Sequence, residues 1–143
     1  MSSPDLVLLD TNIPMYAAGS EHPYRDPCRE VLRRAVAGDL RAITDVEVHQ
    51  EFLHRYFALG LDDKAREVSE DFESVVPGVL SMSLGDVRLA RRLSSKYAAL
   101  PARDLLHVAI MLNNGVHRIV TADRHFDGVA EVDRLDPLEL ISI

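Results

Sequence analysis

Two periods of hydrophobic and polar positions alternate along the chain. Leu6 to Leu9 form an unbroken apolar run that ends at Asp10, which predicts a short buried strand whose exit from the core is marked by a carboxylate. Residues 24–39, YRDPCREVLRRAVAGD, carry the helical period, with Asp26 predicted as N-cap, Pro27 as the first helical residue and Gly38 as the stop. LRAIT (40–44) predicts a second short strand. Over 45–60 the helical period returns, with Val48, Phe52, Tyr56 and Leu59 about one turn apart and Gly60 at the end. An amphipathic helix over 61–76 and a short strand over 77–83 follow. Ser83 and Asp86 have the spacing of a capping box, for a helix continuing to Leu100. Pro101 opens the next helix, which Gly115 stops; a strand and turn occupy 117–128, and VDRLDPLELISI supplies a last short strand and tail.

Short apolar strands alternating with helices predict an α/β fold with a central, mainly parallel sheet flanked by helices. The length of 143 residues and the 47% hydrophobic content suit a single domain over 1–143 with a sizeable core. Sites in such sheets form outside the carboxyl ends of the strands, so the acids at that edge become the candidates. Asp10 follows the first strand directly, and Asp123 stands two residues beyond Ile119 to Thr121. Glu47 and Glu51 lie in the first turns of the helix after the second strand, and either can point inward. The helix from Pro101 precedes the strand at 118–121 by a short turn, so it runs antiparallel to that strand and brings Asp104 to the same edge.

Each acid alone has an ordinary explanation as a cap, a turn former or a partner of a helix dipole, and Glu47 fits a capping box with Thr44. Gathered together they repel, and such a cluster persists when something positive enters it. Oxygen donors alone favour a hard divalent ion, Mg²⁺ or Mn²⁺, over zinc. His49 and His54 are five residues apart and face different sides of their helix, and His107 and His117 read as packing or surface residues.

The net charge of −7, from 16 basic and 23 acidic residues, argues against whole-surface attraction to nucleic acid and permits a cation-binding cleft. Local basic groups would have to hold an anionic substrate. Arg25, Arg29, Arg33 and Arg34 read as a solvated helix face, whereas Arg103, Arg124 and His125 flank the acidic edge, where Arg103 and Arg124 suit phosphate contact. Cys28 is the only cysteine, which excludes an internal disulfide and suits a reducing cytoplasm. No apolar run approaches membrane-spanning length, and MSSPD lacks the features of a signal peptide; the expectation is a cytoplasmic protein with no membrane contact.

LLDTN, TDVEVHQEFLHRY, ARDLLHVAIM and IVTADRHFD, in that order over residues 5 to about 136, resemble the PIN-domain ribonucleases, and among them the VapC-like toxins of toxin–antitoxin pairs. The resemblance implies a PIN-like three-layer fold and a metal-dependent endoribonuclease using one or two Mg²⁺ or Mn²⁺ ions. Matched position by position, it implies Asp10, Glu51, Asp104 and Asp123 as the catalytic, metal-holding acids, with Thr11, Asn12 and Thr121 as supporting polar groups. It selects Glu51 over Glu47, because the family glutamate is followed by apolar residues, as in QEFLH. It further implies an RNA substrate, a small antitoxin protein as partner and a homodimer. Two other readings fit parts of the pattern. One is a non-catalytic RNA-binding or regulatory module. The other is a phosphatase of the haloacid dehalogenase type, whose chemistry wants an acid where this chain has Asn12.

Overall fold

The computed structural model describes residues 6–140; the final residues of the predicted tail, 141–143, and the segment MSSPD lie outside them. Leu6–Leu9 form β1, the central strand of a five-stranded sheet whose order is β3-β2-β1-β4-β5, with β2 at Arg41–Asp45, β3 at Val79–Leu80, β4 at Arg118–Val120 and β5 at Asp133–Leu135. Every pairing is parallel, and Leu8 is in register with Ile43 on one side and Ile119 on the other. The chain builds outward from β1 through β2 to β3, then crosses back to place β4 and β5 on the opposite flank. The gap between β1 and β4 is therefore a topological switch point, where crossovers diverge and leave a crevice at the carboxyl edge.

Helices cover both faces: α1 (Asn12–Ala17), α2 (Arg25–Ala37), α3 (Val46–Ala58), α4 (Asp62–Val75), α5 (Leu84–Lys96), α6 (Ala102–Asn113) and the short α7 (Pro137–Leu140). The two-residue period of β1 sorts them. Val7 and Leu9 enter one core with Ile13, Val31, Phe52 and Phe72 from α1 to α4. Leu8 enters the other with Leu93, Val108 and Met111 from α5 and α6. An apolar run without alternation is what a strand sandwiched between two helical layers requires.

The element ends show where local signals hold. Gly38, Gly60 and Gly115 all adopt positive φ, the left-handed conformation that closes a helix at little cost for glycine. The Asp86 carboxylate accepts from the Ser83 N–H at 2.8 Å and, through its other oxygen, from Asn113 at 2.7 Å, so the predicted cap also ties α5 to α6.

Other ends differ from expectation. Asp26 is not the N-cap of α2, which begins at Arg25; Asp26 and Pro27 sit within the first turn, where Pro27's missing N–H leaves no helical bond unmade. Thr44 does not cap α3 with Glu47: its hydroxyl donates to the Leu9 carbonyl at 2.9 Å, and Asp45 caps instead, accepting from the Val48 N–H at 3.0 Å. The helix from Ser83 stops at Lys96 rather than Leu100, and α1 has no counterpart in the sequence reading. With only 6 residues, α1 is too short to show a helical period.

No helix among the described residues is long and apolar enough to cross a membrane.

Leu8 is fully buried at the centre of the sheet, so Leu8→Ala is expected to lower unfolding free energy by about 2–5 kcal/mol in urea titrations; a loss below about 1 kcal/mol would contradict its central packing.

Candidate active site

Asp10 leaves β1 at the switch point and is almost completely buried. One carboxylate oxygen, Oδ1, accepts the Thr11 N–H at 2.8 Å, and the other, Oδ2, accepts the Thr121 hydroxyl at 2.8 Å. Thr121 follows β4, so this bond spans the crevice between the two central strands. Its oxygen in turn accepts from the Asn12 amide at 2.8 Å and the Asp123 N–H at 3.0 Å, while Asn12 Oδ1 accepts the Ala122 N–H at 3.2 Å. Thr11, Asn12 and Thr121 thus form one network that fixes Asp10 and the loop after β4. Burial raises the Asp10 pKa, against the lowering effects of His107, Thr121 and Thr11.

Glu51 comes in from the second turn of α3. Its Oε1 accepts the Thr11 hydroxyl at 3.2 Å and lies 3.7 Å from Arg103 Nη1, and its Oε2 pairs with Arg55 at 3.1 Å. Glu47, one turn earlier, makes no such contact among the described residues.

Asp104, in the first turn of α6, is pushed up to about 6, chiefly by burial and then by the charges of Asp10 and Asp123. Asp123 accepts from the His125 N–H at 2.9 Å, and the His125 ring nitrogen Nδ1 lies 3.0 Å from Asp123 and 3.7 Å from Asp104. The structure therefore brings all four predicted acids to one edge: Asp10 couples electrostatically to Glu51, and Asp104 couples to Asp10 and Asp123. Asp104, Asp123 and His125 can each offer one ligand atom, all within 4.8 Å of one another. Carboxylate oxygens with one imidazole, on a cluster whose like charges raise a pKa, fit a divalent cation.

The predicted phosphate-contact residues separate. Arg103 stands beside Glu51 in the site, whereas Arg124 is exposed at the start of the 3₁₀ turn Arg124–Gly128, where its charge is felt at Tyr24 and Asp127. Three of the early-helix arginines are occupied structurally: Arg29 donates to the Ala17 carbonyl at the end of α1, and Arg33 and Arg34 pair with Glu30.

His107, read from sequence as a packing or surface residue, is buried at the back of the site. Its Nδ1 lies 2.6 Å from Asp45 Oδ2 and its Nε2 lies 3.7 Å from Asp10 Oδ1. Burial opposes its charge, but Asp45, by charge and hydrogen bond, and then Asp10 and Asp104 outweigh that and lift its pKa to about 9. A signal existed: His107 follows Asp104 by three residues on one helix face, and Asp45 ends β2 as Asp10 follows β1.

This edge can be set beside known proteins. The PIN domain profile matches residues 7–132. VapC ribonuclease Mb1869c of Mycobacterium bovis and Ribonuclease VapC13 of Mycobacterium tuberculosis are each 37% identical to the chain over 130 residues, covering 91% of it and 99% of the relative. The chain belongs to the PIN-domain family. Among solved structures, DNA-bound VapBC from Salmonella typhimurium has a chain that superposes with a TM-score of 0.71 at 16% identity, covering 94% of this chain and 99% of that one. At that identity the likeness concerns the fold, and it accords with the all-parallel sheet between helical layers.

In this PIN domain the native Asp104 holds its proton more tightly than an unfolded aspartate, about 6 against 3.8. Its contribution to stability is therefore fully present below about pH 4 and is lost as pH rises through 6. Asp104→Asn is expected to melt higher than the parent in EDTA at pH 8 and to gain roughly 1–3 kcal/mol in unfolding free energy, with the advantage disappearing below about pH 4. An equal difference at both pH values would show that the fold does not raise the Asp104 pKa.

Proposed function

We propose that this PIN-domain protein is a metal-dependent endoribonuclease that hydrolyses RNA phosphodiester bonds as the toxin of a toxin–antitoxin pair. The observation that carries the reading is the convergence of Asp10, Glu51, Asp104 and Asp123 on the β1–β4 crevice, in a family whose relatives of 37% identity are named VapC ribonucleases. These four acids are the catalytic and metal-holding residues, and the ion is Mg²⁺ or Mn²⁺, one or two per site. When bound, a divalent ion supplies positive charge to the phosphodiester and acidity to an attacking water.

The chain's own residues do the rest. Asp10 is held in one orientation by Thr11 and Thr121, and Asn12 fixes the Thr121 hydroxyl so that its proton points at Asp10. Asp104, raised to about 6 chiefly by burial and then by Asp10 and Asp123, is largely ionised at neutral pH and available as an oxygen donor. Arg103, in ion contact with Glu51, can swing to a substrate phosphate at the rim, and Arg124 offers a second, exposed contact. Such local contacts let a chain of net charge −7 hold RNA. Hydrolysis of this kind needs no 2′-hydroxyl and leaves a 5′-phosphate and a 3′-hydroxyl.

The partner is a small antitoxin protein, a reading supported by solved neighbours that are VapBC assemblies; it covers the acidic edge with an arginine set against the carboxylates. The working form is a cytoplasmic homodimer.

Purified protein is expected to cleave single-stranded RNA with Mg²⁺ or Mn²⁺ and to stop in EDTA. Asp10→Asn, Glu51→Gln and Asp104→Asn should each lose at least about 100-fold in rate, the scale of losing a preorganised electrostatic contact. Products ending in 2′,3′-cyclic phosphate, or full cleavage in EDTA, would refute the reading; RNA binding without cleavage would point to a non-catalytic module.

Expression of the protein alone should slow growth, and co-expression of the small protein encoded beside it should restore it. Undiminished cleavage when that protein is saturating would refute the pairing.

A further inference from the structure

Asp45 and His107 form a buried pair directly behind Asp10. Asp45 is fully buried at the end of β2, with its two oxygens divided between two tasks: Oδ1 caps α3 by accepting the Val48 N–H at 3.0 Å, and Oδ2 takes His107 Nδ1 at 2.6 Å. The second bond fixes the ring, because a carboxylate acceptor at Nδ1 requires the proton there and sets the direction in which the opposite nitrogen points. That nitrogen, Nε2, is buried, has no hydrogen-bond partner among the described residues, and faces Asp10 Oδ1 at 3.7 Å. A buried polar atom without a hydrogen-bond partner carries a desolvation cost and calls for an explanation. The bond to Asp45 does not account for it, since that bond uses Nδ1 alone and leaves the second ring nitrogen aimed at Asp10.

We propose that His107, braced by Asp45, is a positioning residue for Asp10: its Nε2 holds the Asp10 carboxylate from the protein side in the orientation that receives the metal ion. The inference rests on the reading of Asp10 as a metal-holding acid. Thr11 and Thr121 fix Asp10 from the crevice side; His107 closes the remaining side, and Asp45 transmits the rigidity of β2 and α3 to it. Outer partners of this type orient the inner ligands, and their loss typically weakens metal binding about 10–100-fold.

The two amide replacements of histidine separate this role from a structural one. His107→Asn keeps an N–H near the Nδ1 position, and with it the bond to Asp45, but has nothing at the Nε2 position. His107→Gln reaches toward Asp10 and gives up Asp45. Mn²⁺ is titrated calorimetrically into the RNA-free, full-length parent, both variants and Asp10→Asn, with melting temperatures measured in EDTA. The expected result is Mn²⁺ binding weakened roughly 10–100-fold in His107→Asn and less in His107→Gln, although His107→Asn melts at or above His107→Gln. In RNA cleavage, His107→Asn should lose kcat and regain part of it at high Mn²⁺, with KM for RNA unchanged.

Mn²⁺ binding by His107→Asn as tight as the parent's or tighter, or affinities that simply follow the melting temperatures, would overturn the proposal. Should both His107 variants fail to fold, Asp45→Asn, which retains a good N-cap for α3, is expected to weaken Mn²⁺ binding by about 10-fold; parental affinity there would equally overturn it. Asp10→Asn keeps the premises apart: if it binds Mn²⁺ like the parent, the metal-centre reading itself fails, whereas loss in Asp10→Asn alone removes only the positioning role.

Discussion

A carboxylate that leaves the centre of a parallel sheet and stays buried must find donors, and at Asp10 that requirement organises the molecule. The Thr11 N–H, the Thr121 hydroxyl and the ion contact with His107 come from the turns after β1 and β4 and from α6, the helix before β4. They can meet only where the crossovers of the sheet diverge, between β1 and β4. The apolar run Leu6–Leu9 sets this up: it has enough buried surface to carry Asp10 into an environment that raises its pKa.

The same geometry explains why the site draws on so many elements yet remains compact. In a parallel sheet every strand exits at one edge, so Asp45 at the end of β2, Asp10 after β1 and Thr121 with Asp123 after β4 arrive together without any long loop. Helices returning antiparallel to the strands present their first or last turns there. Glu51 enters from the second turn of α3, and Asp104 and His107 from the first two turns of α6. Each position is thus reached by a rigid element, which is how a constellation of like charges is held against its own repulsion.

Much of this was legible in the sequence. Strand exits were marked by polar residues after apolar runs, the stops at Gly38, Gly60 and Gly115 by glycine after a helical period, and the α5 cap by the Ser83–Asp86 spacing. The gathering of Asp10, Glu51, Asp104 and Asp123 at one edge followed from topology, although topology left Glu51 and Glu47 undivided, and only the family likeness chose between them. What was not legible depends on tertiary contact. Pattern alone makes Asp26 as good an N-cap as Asp45; the first is displaced because α2 begins earlier, and the second caps because β2 extends to it. His107 sits in a continuous apolar stretch, LLHVAIM, where periodicity reports burial and says nothing of a carboxylate on each side.

His107 also alters the charge balance among the four acids. Four acids at one edge suggest a cluster that needs an external cation simply to exist. In the folded chain much of that charge is answered from within: Arg55 and Arg103 stand at Glu51 and His107 at Asp10, while Asp123 accepts the His125 N–H. Compensation is uneven, however. Asp104 remains raised to about 6, chiefly by burial and then by Asp10 and Asp123, each of which acts on it more strongly than either His107 or His125. The unanswered negative charge is thus concentrated on the Asp104 side of the crevice, beside the donor group of Asp104, Asp123 and His125. A divalent cation entering the crevice would meet that side first, and the internal partners of Glu51 and Asp10 let the fold stand without one.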